Sequence, residues 1–335
     1  FGPYVQNSKS ETINSFIIIF ISVLILLTSA NVKADRVVIS NEASDDITII
    51  DLNTYEILNT IESGNRPRDM HYIPGSNNLL VAASEDDTIN VIDMKTLKII
   101  GNLETGDDPE IFDISPDGKV AVVSNEDDNE ATVIDIKTGK IIRVIEDVGI
   151  EPEGVNFTPD GKYVFITSEG TNTIIIIDPW KGEIVEEVLV GNRPRRGAFN
   201  KNGEEYWVTN ELGGTVSVID TNTFLIKHTI NFEKKGIRSS EITPVDFAMS
   251  NNGNLAYITL GRSKHVAVVN TNNYEVIDYI LAGSRVWGAA ITADDKTLIV
   301  TNGQSDDISI IDTDKRASIK SIAVGRTPHT VRIIE

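Results

Sequence analysis

A short β-rich run ending in Ile-Asp or its equivalent recurs seven times along this chain. Its last residue is Asp51, Asp93, Asp135, Asp178, Asp220, Asn270 and Asp312, at spacings of 42, 42, 43, 42, 50 and 42 residues. Periods of this length mark repeat architectures, in which one unit cannot bury its apolar face alone. Other markers keep step with the run. Ser40-Asn41, Ser124-Asn125, Thr209-Asn210 and Thr301-Asn302 precede it by about ten residues. A Gly-x-x-Pro step follows it, at Gly64/Pro67, Gly106/Pro109, Gly149/Pro152 and Gly191/Pro194, with variants at Gly283/Val286 and Gly325/Pro328. Pro-Asp-Gly-Lys turns stand at 116–119 and 159–162.

Each unit reads as four short strands rich in Val, Ile and Thr, separated by turn residues. In residues 151–190 the strands fall near 154–158, 163–168, 173–178 and 184–190. No segment sustains a helical period. Four-stranded units of about 42 residues are the blades of a β-propeller. The expected fold is therefore all-β, a seven-bladed propeller with four antiparallel strands per blade. The units are circularly offset, with three strands at the start (near 36–40, 47–51 and 57–61) and one at the end (329–334). The last strand should sit innermost in the first blade and pair with 36–40, which removes two open sheet edges.

Residues 16–27, FIIIFISVLILL, are apolar and uncharged, and Val32-Lys33-Ala34 supplies a small-residue cleavage pattern. This is the signature of a secretory signal peptide, too short to span a bilayer comfortably. The expected organisation is 1–34 as leader and 35–335 as one propeller domain, with no membrane anchor after cleavage and a periplasmic or secreted location in a bacterium. Loss of Lys9, Lys33 and Glu11 takes away a net +1 from the chain's −20, leaving −21. Such an acidic chain argues against nucleic acid, which needs a basic face. With no cysteine there is no disulfide framework, thiolate metal site or cysteine nucleophile. The four histidines show no metal-ligand spacing, and no Gly-x-Ser-x-Gly motif is present. The reading therefore contains no catalytic residue and no metal.

Tyr206-Trp207-Val208-Thr209-Asn210 followed by 216–220 resembles the YVTN-type β-propeller repeat, and 122–125 and 299–302 are similar. In the C-terminal third, 243–249, 265–270, 274–281, 283–287 and 301–312 resemble the periplasmic propellers associated with pyrroloquinoline-quinone-dependent alcohol catabolism. That subfamily tends to have Trp where His329 stands. The resemblance implies a non-enzymatic accessory role, with pyrroloquinoline quinone (PQQ) as a ligand and a PQQ-dependent dehydrogenase or its cytochrome as partner. The propeller itself is expected to be a monomer.

Arginine and lysine segregate between the two faces of such a ring. Nine of the 13 arginines, Arg66, Arg68, Arg193, Arg195, Arg196, Arg238, Arg262, Arg285 and Arg326, fall in or near the Gly-x-x-Pro segments or after the Ser/Thr-Asn markers. Lysines such as Lys95, Lys119, Lys137 and Lys162 cluster near the opposite turns. The planar fork of arginine suits carboxylates and phosphates. These arginines, with Trp287 and His329, are the candidate site for an anionic ligand or acidic partner. The competing reading is that they brace neighbouring blades, because acids lie in the same loops: Glu42, Glu126, Glu169 and Glu211 after the markers, Glu110 and Glu153 in the Gly-x-x-Pro segments. The doublets Asp45-Asp46, Asp86-Asp87, Asp127-Asp128 and Asp306-Asp307 read as solvated turn carboxylates in preference to a calcium loop. Two other functions stay open: a lactonase-like hydrolase with a metal in the channel, and a surface-associated scaffold or adhesion module. The one long spacing places an insertion within 232–242, on the arginine-rich face.

Overall fold

Turn chemistry every few residues breaks this chain into strands too short to stand alone, and the computed structural model stacks them as seven four-stranded antiparallel sheets. It describes Gly2 and residues 36–334. The proposed leader, Gly2 apart, lies outside the described residues. We number the blades I to VII along the chain. Blade I is made of β1 (Arg36–Asn41), β2 (Asp46–Asp51), β3 (Ile57–Glu62) and the C-terminal strand β28 (Pro328–Ile334), in the order β28-β1-β2-β3. β28 is innermost and runs antiparallel to β1, pairing Val37 with Ile333 and Ile39 with Val331. The ring closes as the three-strand start and one-strand finish require.

The inner strands of blades II to VII are Pro67–Tyr72, Pro109–Ile114, Pro152–Phe157, Pro194–Phe199, Phe247–Met249 and Val286–Ile291. Burial follows strand position. A third strand such as Thr173–Asp178 is buried along its whole length, because neighbouring blades cover both of its faces. Hydrophobic clusters therefore join blades: Val37, Ile39 and Ile50 of blade I pack with Ile299, Ile308 and Ile310 of blade VII. Each such side chain removed from water contributes about 1.5–3 kcal/mol.

Outer strands bury one residue near the end (Ile61, Leu103, Ile145, Val188, Ile230, Ile280, Ile322) and leave apolar residues such as Leu58, Ile100 and Ile142 exposed. These are seven open sheet edges. In every blade the pairing of third and outer strands carries a register shift, for example between Ile49 and Ile50 and between Val91 and Ile92. A bulge there twists the edge away from further strand pairing. No described helix is long and apolar enough to cross a membrane.

Candidate functional site

The Gly-x-x-Pro step builds the channel mouth by a repeated backbone device. In six of the seven blades, all but VI, the residue before the inner strand has a left-handed backbone: Arg66 (φ 50), Asp108 (φ 47), Glu151 (φ 53), Arg193 (φ 56), Arg285 (φ 55) and Thr327 (φ 52). Left-handed non-glycine residues persist only where their surroundings fix them. Here the preceding blade does so. The Arg66 N–H donates to Asp45 Oδ1 (2.9 Å), Asp108 to Asp87 (3.0 Å), Glu151 to Asn129 Oδ1 (3.0 Å), Arg193 to Asn172 Oδ1 (2.8 Å) and Thr327 to Asp306 (2.9 Å). The acceptors are themselves left-handed. The aspartate doublets thus act as loop clamps. On the other side, the carbonyls of Arg66, Asp108, Glu151, Arg193, Arg285 and Thr327 accept N–H bonds from Ser84, Glu126, Glu169, Glu211, Gly303 and Glu42. The two loop sets share one face, as the sequence predicts.

The marker hydroxyl sets the next layer. Ser40 donates to the Arg68 carbonyl (2.7 Å), Ser124 to Glu153, Thr167 to Arg195, Thr209 to Val245, Thr259 to Trp287 (2.6 Å) and Thr301 to His329 (2.8 Å), each in the following blade. Only blade II, with Ala82 at this position, lacks the bond. Six residues are held in this way, His329, Arg68, Glu153, Arg195, Val245 and Trp287, and Glu110 takes the equivalent strand position in blade III without the bond.

Across blades II to V this layer is saturated with ion pairs. Arg66 reaches Glu42 (3.3 Å), Asp108 (3.2 Å) and Glu110 (3.3 Å). Arg68 reaches Glu42 (3.1 Å) and Glu110. Arg195 reaches Glu153 (3.1 Å) and Glu169, and Arg193 reaches Glu169 (2.8 Å) and Glu211 (3.4 Å). The contacts to Glu110 are ionic and lack the alignment of directed hydrogen bonds. Burial opposes the Arg68 and Arg195 charges, but their glutamates raise both guanidinium pKa values. Burial pushes Glu110 well above the usual carboxylate range, with Arg68 opposing. This part of the ring braces blades.

Blades VI and VII differ. The marker position that holds Glu126, Glu169 and Glu211 in blades III to V holds Gly261 in blade VI and Gly303 in blade VII. Arg285 has a single carboxylate contact, Glu211 at 3.9 Å. Its guanidinium pKa is lowered, first by burial, with Glu211 opposing and Arg195, Arg262 and Arg193 adding to the fall. Trp287 is 9% exposed and packs between two arginines, its ring 4.5 Å from the Arg285 guanidinium and 5.0 Å from that of Arg195. The Trp287 Nε1–H is buried without a partner. His329 lies beside it, ring centroids 5.7 Å apart. Burial, then Arg68, Arg196 and Arg195, hold this imidazole well below its usual pKa, so it is neutral at pH 7. Arg66, Arg68, Arg193, Arg195, Arg285, Trp287, Gly303 and His329 enclose a cavity of about 270 Å³ together with Glu42, Glu126 and Glu153.

Deeper in the channel a second cavity of about 160 Å³ is lined by Asp69, His71, Arg196, Asp246 and Arg332 among others. Arg332 donates to Asp69 (2.6 Å), and His71 Nε2 lies 3.1 Å from the other Asp69 oxygen. Arg196 pairs with Asp246 (2.9 Å) and lies 3.3 Å from His329 Nδ1. A larger hollow of about 500 Å³, with His228, Tyr274 and Tyr279, opens between the outer strands of blades V and VI, away from the channel. The 232–242 insertion is tied down beside it: Phe232 and Ile242 are buried, and the Glu233 N–H donates to the Tyr279 hydroxyl (2.9 Å).

The structure thus brings together Arg66, Arg68, Arg193, Arg195, Arg285, Trp287 and His329, and turns Arg196 into the channel. Arg238, Arg262 and Arg326 are exposed and do not line the cavity. The expectation that Arg326 approaches the mouth is corrected. It stands one residue too early in the loop: the left-handed position that faces the mouth belongs to Thr327, and Arg326 bonds the Ala43 carbonyl instead. Sequence reasoning missed Arg332, and it missed that Asp108, Glu110 and Glu126 place three carboxylate oxygens within 4.8 Å of one another. Counting residues from each Gly-x-x-Pro step would have found that trio. A metal fits it poorly, because Arg66 and Arg68 already supply the compensating charge at Glu110.

These observations agree with what the chain resembles. Residues 75–239 match the YNCE-like beta-propeller family. The chain is a β-propeller protein. No curated protein matches it in sequence. Among solved structures it is similar to Kuenenia stuttgartiensis hydrazine synthase, with 21% identity and a TM-score of 0.76 over 82% of this chain and 92% of that one. A functionally unknown Desulfotomaculum acetoxidans protein gives 17% and 0.77, over 90% and 99%. A candidate 6-phosphogluconolactonase from Bacteroides fragilis gives 21% and 0.77, over 92% and 99%. At these identities the likeness to solved structures concerns the propeller fold.

Proposed function

We propose that this propeller is an exported, non-enzymatic binding protein that holds a small planar organic anion in the cavity at the channel mouth. The observation that carries the reading is the carboxylate-poor sector. There Arg285 is scarcely paired, the buried Trp287 Nε1–H has no acceptor, and glycine replaces the glutamate of blades III to V. A ligand carboxylate would accept from both donors while its flat body lies against the His329 ring. At about 270 Å³ the cavity is slightly below the range that takes drug-sized ligands, so the occupant is small. Export to a bacterial periplasm rests on residues 16–34. PQQ, a flat tricarboxylate, is the specific candidate offered by the family resemblance, and a PQQ-dependent dehydrogenase is the matching partner.

The test is calorimetric titration of the mature protein with benzoate and, separately, with PQQ and with the purified dehydrogenase. Gly303→Glu restores the acid that blades III to V carry. Its new Cβ has room, since the nearest atom is 3.6 Å away, and Gly303 borders the cavity. Trp287→Phe keeps the ring and deletes the donor. Wild type should bind, Gly303→Glu should not, and Trp287→Phe should bind about tenfold more weakly, the loss of one hydrogen bond to a charged acceptor. Added salt should weaken binding. Binding equal in all three proteins, or in none, refutes the site.

A further inference from the structure

The same cavity has an acidic side whose charge the blade-bracing network does not use. Four glutamates occupy the marker position: Glu42, Glu126, Glu169 and Glu211. Three of them are paired, Glu42 with Arg66 and Arg68, Glu169 with Arg193 and Arg195, and Glu211 with Arg193. Glu126, half-buried and lining the cavity, has no cation within 4.0 Å and no side-chain hydrogen bond among the described residues. The reason lies in the sequence. In blades II, V and VII the left-handed loop residue is an arginine, whereas blades III and IV present Asp108 and Glu151. Glu126 therefore faces Asp108 and Glu110 as its near neighbours.

Blade III lies three blades from blade VII, as far apart as a ring of seven allows. The cavity thus has a cationic, donor-bearing side at Arg285 and Trp287 and an anionic side at Glu126. We propose that its ligand is a zwitterion, with a carboxylate held by Arg285 and the Trp287 Nε1–H and an ammonium group held by Glu126. This rests on the anion site above and adds the charge of the far end. A bipolar ligand supplies the missing acceptor on one side and the missing cation on the other. PQQ would instead bring a further carboxylate toward Glu126, so the two candidates differ in sign at that end.

Three ligands of one ring separate the cases: benzoate, terephthalate and 4-(aminomethyl)benzoate, each titrated calorimetrically into wild type and Glu126→Gln, with folding checked by circular dichroism. In wild type, 4-(aminomethyl)benzoate should bind about tenfold more tightly than benzoate, and terephthalate more weakly than either. Glu126→Gln should bring 4-(aminomethyl)benzoate and benzoate to the same affinity. If benzoate binds but the amine confers no preference, or the preference survives Glu126→Gln, the zwitterion is refuted and the anion site stands. If no ligand binds, both fall. Calcium chloride is titrated alone and ahead of terephthalate. Calcium binding that tightens terephthalate would place a metal ion where the ammonium is proposed and overturn the inference.

Discussion

Replacing Arg195 and Arg285 separately by alanine should separate bracing arginines from ligand-binding ones. The Arg195 side chain is 6% exposed and pairs with Glu153 and Glu169, each 2% exposed. Removing it leaves the buried Glu153 with only a 3.9 Å contact to Arg68, and Glu169 with Arg193 alone. Breaking a buried pair in this way costs about 3–5 kcal/mol, and the lost contact with Trp287 adds to it. The Arg285 side chain is 29% exposed, and its one ion contact is 3.9 Å long. After allowance for solvent screening its loss costs about 1 kcal/mol or less. A chain of roughly 300 ordered residues unfolds with an entropy of about 0.63 kcal/mol/K, so these costs correspond to Tm falls of about 5–8 °C and less than about 2 °C. Scanning calorimetry at pH 7.5 reads both. Arg195→Met with Glu169→Gln, which removes the Arg195–Glu169 pair and leaves only Glu153 of the two acids charged, should recover part of the loss. Equal shifts for Arg195→Ala and Arg285→Ala would refute the division of the ring into a braced and an open sector.

Other outcomes follow from the same contacts. Thr301→Val deletes the hydroxyl that donates to the His329 carbonyl and accepts from Gly288 N–H (2.7 Å), and should cost about 1–3 kcal/mol in urea unfolding. Asp69→Asn should destabilise by about 3 kcal/mol at pH 7. Burial opposes the Asp69 charge, but Arg332 and His71 overcome it and hold the carboxyl far below its usual 3.8. Wild type therefore loses this contribution as pH falls below about 3.8, and the gap between the two proteins, followed by thermal melts, should narrow there. Deleting residues 329–335 strips β1 of its inner partner and should give aggregation on size-exclusion chromatography or a large fall in Tm.

Much of this architecture is legible in the sequence because each marker has one physical job. The Ser/Thr hydroxyl bridges to the next blade, and the aspartate doublet clamps the next loop, so both recur at fixed spacing. The closure was legible from strand count alone. The site was only partly so. Arg66, Arg193 and Arg285 differ from Arg326 by one position in a four-residue loop, and grouping them by proximity to Gly-x-x-Pro hides that difference. Arg196 and Arg332 line the channel because inner-strand side chains alternate, a distinction that appears only once register is fixed. The glycines at 261 and 303 could have been read as missing acids by aligning the seven markers. The unpartnered Trp287 Nε1–H could not, since it depends on what three separate blades leave empty.

The two halves of the mouth carry opposite energetic consequences. In blades II to V every buried arginine meets a carboxylate, so these arginines hold left-handed loops in place and are not free for a ligand anion, and of the marker glutamates only Glu126 is left without a cation among the described residues. In blade VII the fold buries an indole donor without an acceptor, which costs about 1–3 kcal/mol. It also crowds Arg285 with other cations. That cost persists in the empty protein and is relieved by whatever carboxylate occupies the cavity. Occupancy should therefore be visible as stability. At a ligand concentration of about 100 Kd the gain is about 2.7 kcal/mol. Against an unfolding entropy of about 0.63 kcal/mol/K this raises Tm by about 4 °C. A thermal-shift series with benzoate and 4-(aminomethyl)benzoate should show the rise in wild type and none in Gly303→Glu, where the introduced carboxylate takes the ligand's place. Gly303→Glu without ligand should itself melt above wild type without ligand. A variant that melts lower, with its fold intact by circular dichroism, would mean that Arg285 and Trp287 are not short of an anion.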